Sequence, residues 1–127
     1  MNNFITILTV GFGGFIGAIF RYLGGGMIQT LFKSQNFPYG TLLVNLLGCF
    51  IIGFLGGYSD NMNMFSSKTR HFLFIGILGG FTTFSTFGYE SVLLMRDHAL
   101  GAAMINIGMH IFAGLFFVYV GYSISLR

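Results

Sequence analysis

A run of phenylalanine and hydroxyl side chains in the second half of the chain carries residue types that contact ions. Within residues 79–88, Phe81, Phe84 and Phe87 recur every three residues, and a hydroxyl side chain fills each position between them. Because an α-helix repeats every ~3.6 residues, this spacing after two glycines is more typical of a broken helix with free carbonyls. Such carbonyls bind cations, hydroxyls donate to anions, and the edges of aromatic rings are electropositive. The alternative is a packing surface whose hydroxyls bond to their own helix.

A few further polar side chains lie within apolar stretches. Asn45 offers two donors and an acceptor, although it could instead be a clamp between helices, worth about 1 kcal/mol. Arg21 could pair with Glu90 across helices, or extend along an apolar surface to water. Asn106 and His110 are four residues apart, so they share a helical face. A lone histidine in such a place packs more often than it binds a ligand.

Long apolar helices must position these residues. The chain has 127 residues, of which 7% are charged, and a mean hydropathy of +0.80, whereas soluble domains have about 25% charged residues. The formal charges leave four long uncharged runs, 1–20, 34–59, 71–89 and 98–126. Each is about long enough to cross a bilayer as a helix.

We therefore predict an all-α membrane protein in which residues 1–127 form a single domain. Four transmembrane helices are expected, at residues 4–32, 40–58, 71–95 and 99–126, with a break in the third helix near residues 79–83. Gly13 and Gly17 are four residues apart in the first helix, as are Gly53 and Gly57 in the second. Because small residues at this spacing let membrane helices approach closely, we expect tight contacts along these faces.

The basic residues favour neither orientation in the membrane. If the helices alternate in direction, three basic residues lie near one surface and three near the other, namely Lys68, Arg70 and Arg127 against Arg21, Lys33 and Arg96. An excess of Lys and Arg normally selects the cytoplasmic side, so a balanced chain can insert both ways. We predict a dual-topology homodimer with antiparallel subunits.

Several classes of function are excluded by the same composition. Basic residues scattered among apolar runs form no stripe that could follow phosphates, so no nucleic-acid partner is expected. The sequence has no His, Cys, Asp or Glu cluster with metal-ligand spacing, and Cys49 is its only cysteine. It also lacks nucleotide-binding and catalytic motifs. These features favour a passive conduit or a transporter and not an enzyme.

Three motifs resemble those of the small fluoride channels called Fluc or CrcB proteins. They are GGFIGAIFRY at residues 13–22, GTLLVNLLG at 40–48 and GGFTTFSTF at 79–87. The resemblance spans essentially the whole chain. It implies a multi-pass protein of a bacterial plasma or inner membrane that confers fluoride resistance. Fluoride would leave the cytoplasm passively through two antiparallel pores, each lined by both subunits of the homodimer.

The resemblance also implies site residues by position. Five residues match the fluoride pore, and they are Asn45, Phe84, Phe87, Ser85 and Thr86. The edges of the two phenylalanine rings would contact fluoride, and the hydroxyls between them would donate to it. Chloride, which is larger and more weakly hydrated, would fit this narrow path poorly.

A structural sodium ion is the cofactor that the resemblance implies. Gly79 and Thr82 match the positions whose backbone carbonyls, two from each subunit, hold sodium at the centre of the dimer. Arg21 and Glu90 match polar residues near the pore and its vestibule.

One position departs from the family pattern. Gly114 stands where family members often carry a serine on the fourth helix along the pore. Asn106 and His110 lie on the same helical face and could compensate, so both are candidates for the pore or vestibule.

Two other functions remain as alternatives. A proton-coupled small multidrug exporter is also short and often dual in topology, but it needs a carboxylate in an early helix, and the predicted first and second helices have none. A membrane assembly factor would use the glycine faces and phenylalanines only for packing. Changing Phe84 or Phe87 would then impair folding, but it would abolish no ion flux, because such a protein transports nothing.

Overall fold

Four long helical spans make up the protein, seen here in a computed structural model that describes residues 3–33, 36–62 and 65–127. All four are long and apolar enough to cross a membrane. The first two spans are the helices α1 (Asn3–Phe32) and α2 (Tyr39–Met62). The third span consists of α3 (Ser67–Arg70), the π-helix π1 (His71–Leu78), α4 (Gly79–Phe81) and α5 (Phe84–Arg96). The fourth consists of α6 (Leu100–Gly108), the π-helix π2 (Met109–Ala113) and α7 (Gly114–Ser125).

The ends of the spans differ most from the sequence-based bounds around the second loop. The second span continues to Met62, beyond the expected end at residue 58, and the third begins at Ser67 instead of residue 71. Ser66 is the N-cap residue of the third span, and its hydroxyl accepts the N–H of Thr69 at 3.2 Å. Polar residues at the ends of apolar runs therefore extend the helices, and a boundary drawn from charge and hydropathy misses them.

The two halves of the third span pack against different neighbours. Its first half, π1 with α4, lies along α1, whereas its second half, α5, lies along α6. The helix α2 contacts both α1 and α7, so it connects the two sides of the molecule. The third span therefore crosses from one side to the other near its middle.

Glycines make the closest helix contacts. A Cβ atom at Gly17 of α1 would overlap the carbonyl oxygen of Ile77 and lie 2.8 Å from the nitrogen of Phe81. A Cβ atom at Gly53 of α2 would overlap the carbonyl oxygen of Val118 in α7. These approaches confirm the expectation from the four-residue glycine spacing, and they place backbone directly against backbone.

Most large apolar side chains face outward. Few residues are enclosed, among them Val44, Ala103 and Asn106, while Phe84 is 82% exposed. An apolar surface of this extent is stable when lipid or another protein chain covers it.

We expect Gly17→Ala to weaken the fold and Gly11→Ala, in the same helix, to preserve it. The methyl group at residue 17 meets backbone atoms of the third span, whereas nothing lies within 4 Å of a Cβ atom at Gly11. Overpacking of this kind costs about 1–3 kcal/mol, and alanine in an open helical position adds up to about 1 kcal/mol of stability. Unfolding in mixed detergent micelles, followed by circular dichroism, measures both. Equal stability of the two variants would contradict the close contact at Gly17.

Candidate functional site

The third span is interrupted at two threonines. Thr82 has φ −93° and ψ 157°, and Thr83 has φ −151° and ψ 121°, so both are extended. The helix α5 then begins at Phe84, with the Thr83 hydroxyl accepting the N–H of Thr86 at 3.2 Å. The residues from Gly79 to Phe81 remain helical, so the extended part is shorter than the predicted 79–83.

The side chain of Asn45 bonds to both backbone groups of Thr83. Its Oδ1 accepts the Thr83 N–H at 2.8 Å, and its Nδ2 donates to the Thr83 carbonyl at 3.0 Å. Unpaired backbone groups are costly at membrane depth, where water is absent. One amide from α2 therefore replaces the hydrogen bonds that Thr83 would otherwise make within a helix. These two hydrogen bonds join α2 to the third span, as expected if Asn45 is a clamp between helices.

The interruption deprives several carbonyls of their helical donors, among them those of Gly79 and Thr82. In an α-helix each carbonyl accepts the N–H four residues ahead. The N–H of Thr83 would bond to the Gly79 carbonyl, but it donates to Asn45. Likewise the N–H of Thr86 would bond to the Thr82 carbonyl, but it donates to the Thr83 hydroxyl. The carbonyls of Gly79 and Thr82 are thus released from their regular partners at the same break.

A chain of hydrogen bonds continues from Asn45 into the fourth span. Asn45 Nδ2 lies 3.1 Å from Nε2 of His110, and Nδ1 of His110 lies 2.9 Å from the Asn106 carbonyl oxygen. The fully buried Asn106 side chain donates to the Ser91 hydroxyl at 3.0 Å, and that hydroxyl donates to the Phe87 carbonyl at 2.8 Å. Both Asn106 and His110 therefore belong to the polar network of the break.

Phe84 and Phe87 are in contact but differ in exposure. Their ring centroids are 5.3 Å apart with an interplanar angle of 67°, which is an edge-to-face arrangement. Phe87 is buried and stacks on His110 with centroids 4.2 Å apart, whereas Phe84 is 82% exposed. The ring of Phe84 thus contacts Phe87 but is otherwise largely uncovered by the chain's own helices.

The hydroxyl side chains of the motif divide into two kinds. Thr82 bonds to the carbonyl of Leu78 at 2.9 Å, one turn earlier in its own helix. The hydroxyls of Thr83, Ser85 and Thr86 instead form an exposed cluster, with oxygens 3.2 Å apart between residues 83 and 85 and 3.1 Å apart between residues 83 and 86. Thr82 therefore bonds back to its own span, as the packing alternative expects, while the hydroxyls of the other three residues remain accessible.

An open cavity of about 810 Å³ leads to the break, and the polar residues in its mixed lining include Arg21, Thr41, Thr83, Thr86 and Glu90. Thr41 donates to Glu90 Oε1 at 2.7 Å, and Glu90 Oε2 is buried without a hydrogen-bond partner in the described part of the chain. Arg21 and Glu90 line the same cavity, but they are not among the ion pairs of the described residues. The guanidinium of Arg21 lies 3.5 Å from the Thr82 carbonyl oxygen instead.

Sequence reasoning missed three partners of the predicted residues. Thr83 was not singled out as the partner of Asn45, nor Thr41 as that of Glu90, nor Ser91 as that of Asn106. Thr83 carried a usable signal, since a threonine directly before a helix, with its acceptor oxygen near the third residue on, is a typical N-cap. The other two pairs join separate spans and have no local sequence signal.

Gly114 faces Cys49 of α2. A Cβ atom at Gly114 would lie 3.5 Å from the Cys49 sulfur, which is an ordinary contact distance. A serine at residue 114, which the resemblance to the family led us to expect, would therefore contact α2 one helical turn after His110.

Replacing Asn45 with alanine should destabilise the fold, because both backbone groups of Thr83 lose their partner. An unpaired buried polar group costs about 1–3 kcal/mol. Thermal unfolding in detergent micelles measures the effect, with Cys49→Ala, one turn further along α2, as the control. Loss of stability in the control alone would rule out the clamp.

Comparison with known proteins agrees with these features. Residues 8–122 match the family model described as CrcB-like protein, Camphor Resistance (CrcB). A protein of Methanosarcina barkeri named Fluoride-specific ion channel FluC 3 is 49% identical over 121 residues, covering 95% of this chain and 90% of that protein.

Two bacterial proteins named Fluoride-specific ion channel FluC are also similar. The one from Campylobacter fetus is 43% identical, covering 96% of this chain and 94% of its own length. The one from Clostridium perfringens is 39% identical, covering 98% and 97%. With its four apolar spans, the present chain is a multi-pass membrane protein, and it belongs to the CrcB family.

Proposed function

We propose that the protein is a fluoride-selective channel of the cell membrane through which fluoride leaves the cytoplasm passively. The observation that carries the proposal is the accessible hydroxyl cluster of Thr83, Ser85 and Thr86 beside the edge-to-face pair of Phe84 and Phe87. Thr83 and Thr86 also line the open cavity, through which water and ions can reach the cluster. The names of the similar proteins from three organisms support fluoride as the ion.

The chemistry of the cluster suits fluoride. Fluoride is small and strongly hydrated, so close hydroxyl donors must replace its water shell. The electropositive ring edges of Phe84 and Phe87 attract an anion without holding it tightly. Asn45 borders this path and holds the Thr83 end of it in place through both backbone groups.

The second part of the proposal is an antiparallel, dual-topology homodimer with two pores. The balanced basic residues support insertion in both orientations. Phe84 belongs to the motif yet is 82% exposed on the single chain, so an inverted partner would complete the pore by covering its ring. Each pore is then lined by both subunits.

A structural sodium ion at the dimer centre is the third part of the proposal. The carbonyls of Gly79 and Thr82 could act as its ligands, since their regular helical donors bond to Asn45 and to the Thr83 hydroxyl instead. The Thr82 carbonyl also accepts a hydrogen bond from Nη1 of Arg21 at 3.5 Å, so a bound sodium ion would displace this guanidinium. Backbone oxygens are suitable ligands for a hard cation. When bound, sodium would supply positive charge that attracts the carbonyl dipoles of both subunits and so links them.

Purified protein in liposomes should release fluoride rapidly and chloride not at all. Release is followed with ion-selective electrodes under a potassium gradient with valinomycin. Phe84→Ile should slow fluoride release by about fivefold, because an aromatic contact is worth about 1 kcal/mol. Phe116→Ile, at an outward-facing position of α7, serves as the matched control.

The outcomes separate the candidate functions. Absence of fluoride release from folded protein would overturn the channel and favour the proton-coupled exporter, which is tested by proton-driven uptake of a cationic drug. Loss of folding in Phe84→Ile, with no flux in the parent protein, would favour the assembly factor.

Labelling from one side of the membrane tests the dual topology. In a Cys49→Ala background, His98→Cys places the only thiol in the exposed turn after α5. A membrane-impermeant maleimide added outside intact cells should label about half of the chains, because a balanced charge pattern does not select an orientation. Labelling of all chains or of none would show a single orientation.

A further inference from the structure

We propose that His110 is a positioning residue for Asn45. In its neutral form, with the proton on Nδ1, it accepts one N–H of the Asn45 amide and fixes that amide in the orientation that pairs with Thr83. The inference rests on the proposed function only where ion flux is the readout, since the hydrogen bonds themselves are independent of the transported ion.

The partner of Nδ1 determines which imidazole nitrogen carries the proton. Nδ1 of His110 lies 2.9 Å from the carbonyl oxygen of Asn106, and a carbonyl can only accept a hydrogen bond. Nδ1 is therefore protonated. In a neutral imidazole Nε2 then has a free lone pair, and Asn45 Nδ2 donates to it across 3.1 Å.

Three hydrogen bonds of Asn45 depend on one amide orientation. As placed, Oδ1 accepts the Thr83 N–H, while the two N–H groups of Nδ2 donate to the Thr83 carbonyl and to His110. A rotation of the amide by half a turn would direct Oδ1 at the Thr83 carbonyl and at Nε2, and Nδ2 at the Thr83 N–H. All three bonds would be lost together, so His110 and Thr83 select the same orientation.

The number of hydrogen bonds that the Asn45 amide makes also assigns it a role beside the proposed fluoride path. Because both of its N–H groups are engaged, Asn45 supports the break. Within the hydroxyl cluster Thr83 donates to Thr86, so the hydroxyl of Thr86 keeps its own hydrogen as a donor to a passing anion. A change at His110 therefore acts on transport through the position of Asn45 and Thr83.

The imidazole ring is held on its edge and on its face. The Asn106 carbonyl fixes the edge, and the Phe87 ring stacks on the face with a centroid distance of 4.2 Å and an interplanar angle of 28°. His110 also lies in π2, and π-helical turns are frequent at functional sites. Ring stacking alone would be a competing, purely packing role for this residue.

Two substitutions separate hydrogen bonding from packing. His110→Gln keeps an acceptor oxygen near the position of Nε2 and removes the ring. His110→Phe keeps the ring that stacks on Phe87 and removes the acceptor. In fluoride release from liposomes, we expect the Gln variant to stay close to the parent rate and the Phe variant to fall about tenfold, since one buried amide N–H is left unpaired.

Every other order of rates overturns the proposal. Equal rates in the two variants, or a faster Phe variant, would show that His110 acts by packing or has no role in transport. If the parent protein itself releases no fluoride, the channel function fails, and the following measurement alone decides the role of His110.

Nitrogen NMR of the parent protein in detergent micelles reads the hydrogen bonds directly and does not depend on ion flux. With ¹⁵N-labelled histidine and asparagine, we expect a protonated Nδ1, a bare Nε2, and a scalar coupling across the bond from Asn45 Nδ2 to Nε2 of His110. The spectrum of His110→Gln identifies the signals among the three histidines. A protonated Nε2, or no coupling between the two side chains, would overturn the proposal.

Discussion

The pairing of Asn45 with Thr83 is the interaction on which the rest of the structure depends. Inside a membrane, a helix can be interrupted only where other groups satisfy the backbone that it exposes. Here one amide does so for both the N–H and the carbonyl of Thr83. Because the helix stops there, the third span packs against α1 before the break and against α6 after it. The released carbonyls, the hydroxyl cluster and the paired phenylalanines all lie at the same point.

Hydrogen bonds join this point to the rest of the molecule. From α2 the network passes through His110 of π2 to Asn106 of α6, and from there to Ser91 of α5. Three separate spans thus share one polar centre. Pairing makes such a network favourable, so each member limits how the others can be substituted. Oδ1 of Asn106 is the exception among the described residues of the network, since it is buried without a hydrogen-bond partner.

Composition and spacing predict the membrane character of the fold, because charge and hydropathy act over a whole span. The four-residue spacing of Gly13 and Gly17 also predicts the tight contact of α1 with the third span, since it depends on side-chain size alone. The three-residue period indicates where the third span is irregular, but not that Thr82 and Thr83 are its extended residues. Asn45 was selected as a candidate, whereas its partner was not, because a hydrogen bond between distant spans leaves no mark in local sequence. The same reason applies to Thr41 with Glu90 and to Ser91 with Asn106.

The distribution of the polar centre over the spans also has a consequence for the order of assembly during synthesis. Asn45 and Thr83 belong to the second and third spans, so their pairing is available before the fourth span is made. His110 and Asn106 arrive only with the fourth span. Until then one amide N–H of Asn45 still lacks its partner in the bilayer, whereas the Ser91 hydroxyl already donates to the Phe87 carbonyl of its own helix. Insertion of the fourth span is therefore the step that completes the interior of the protein.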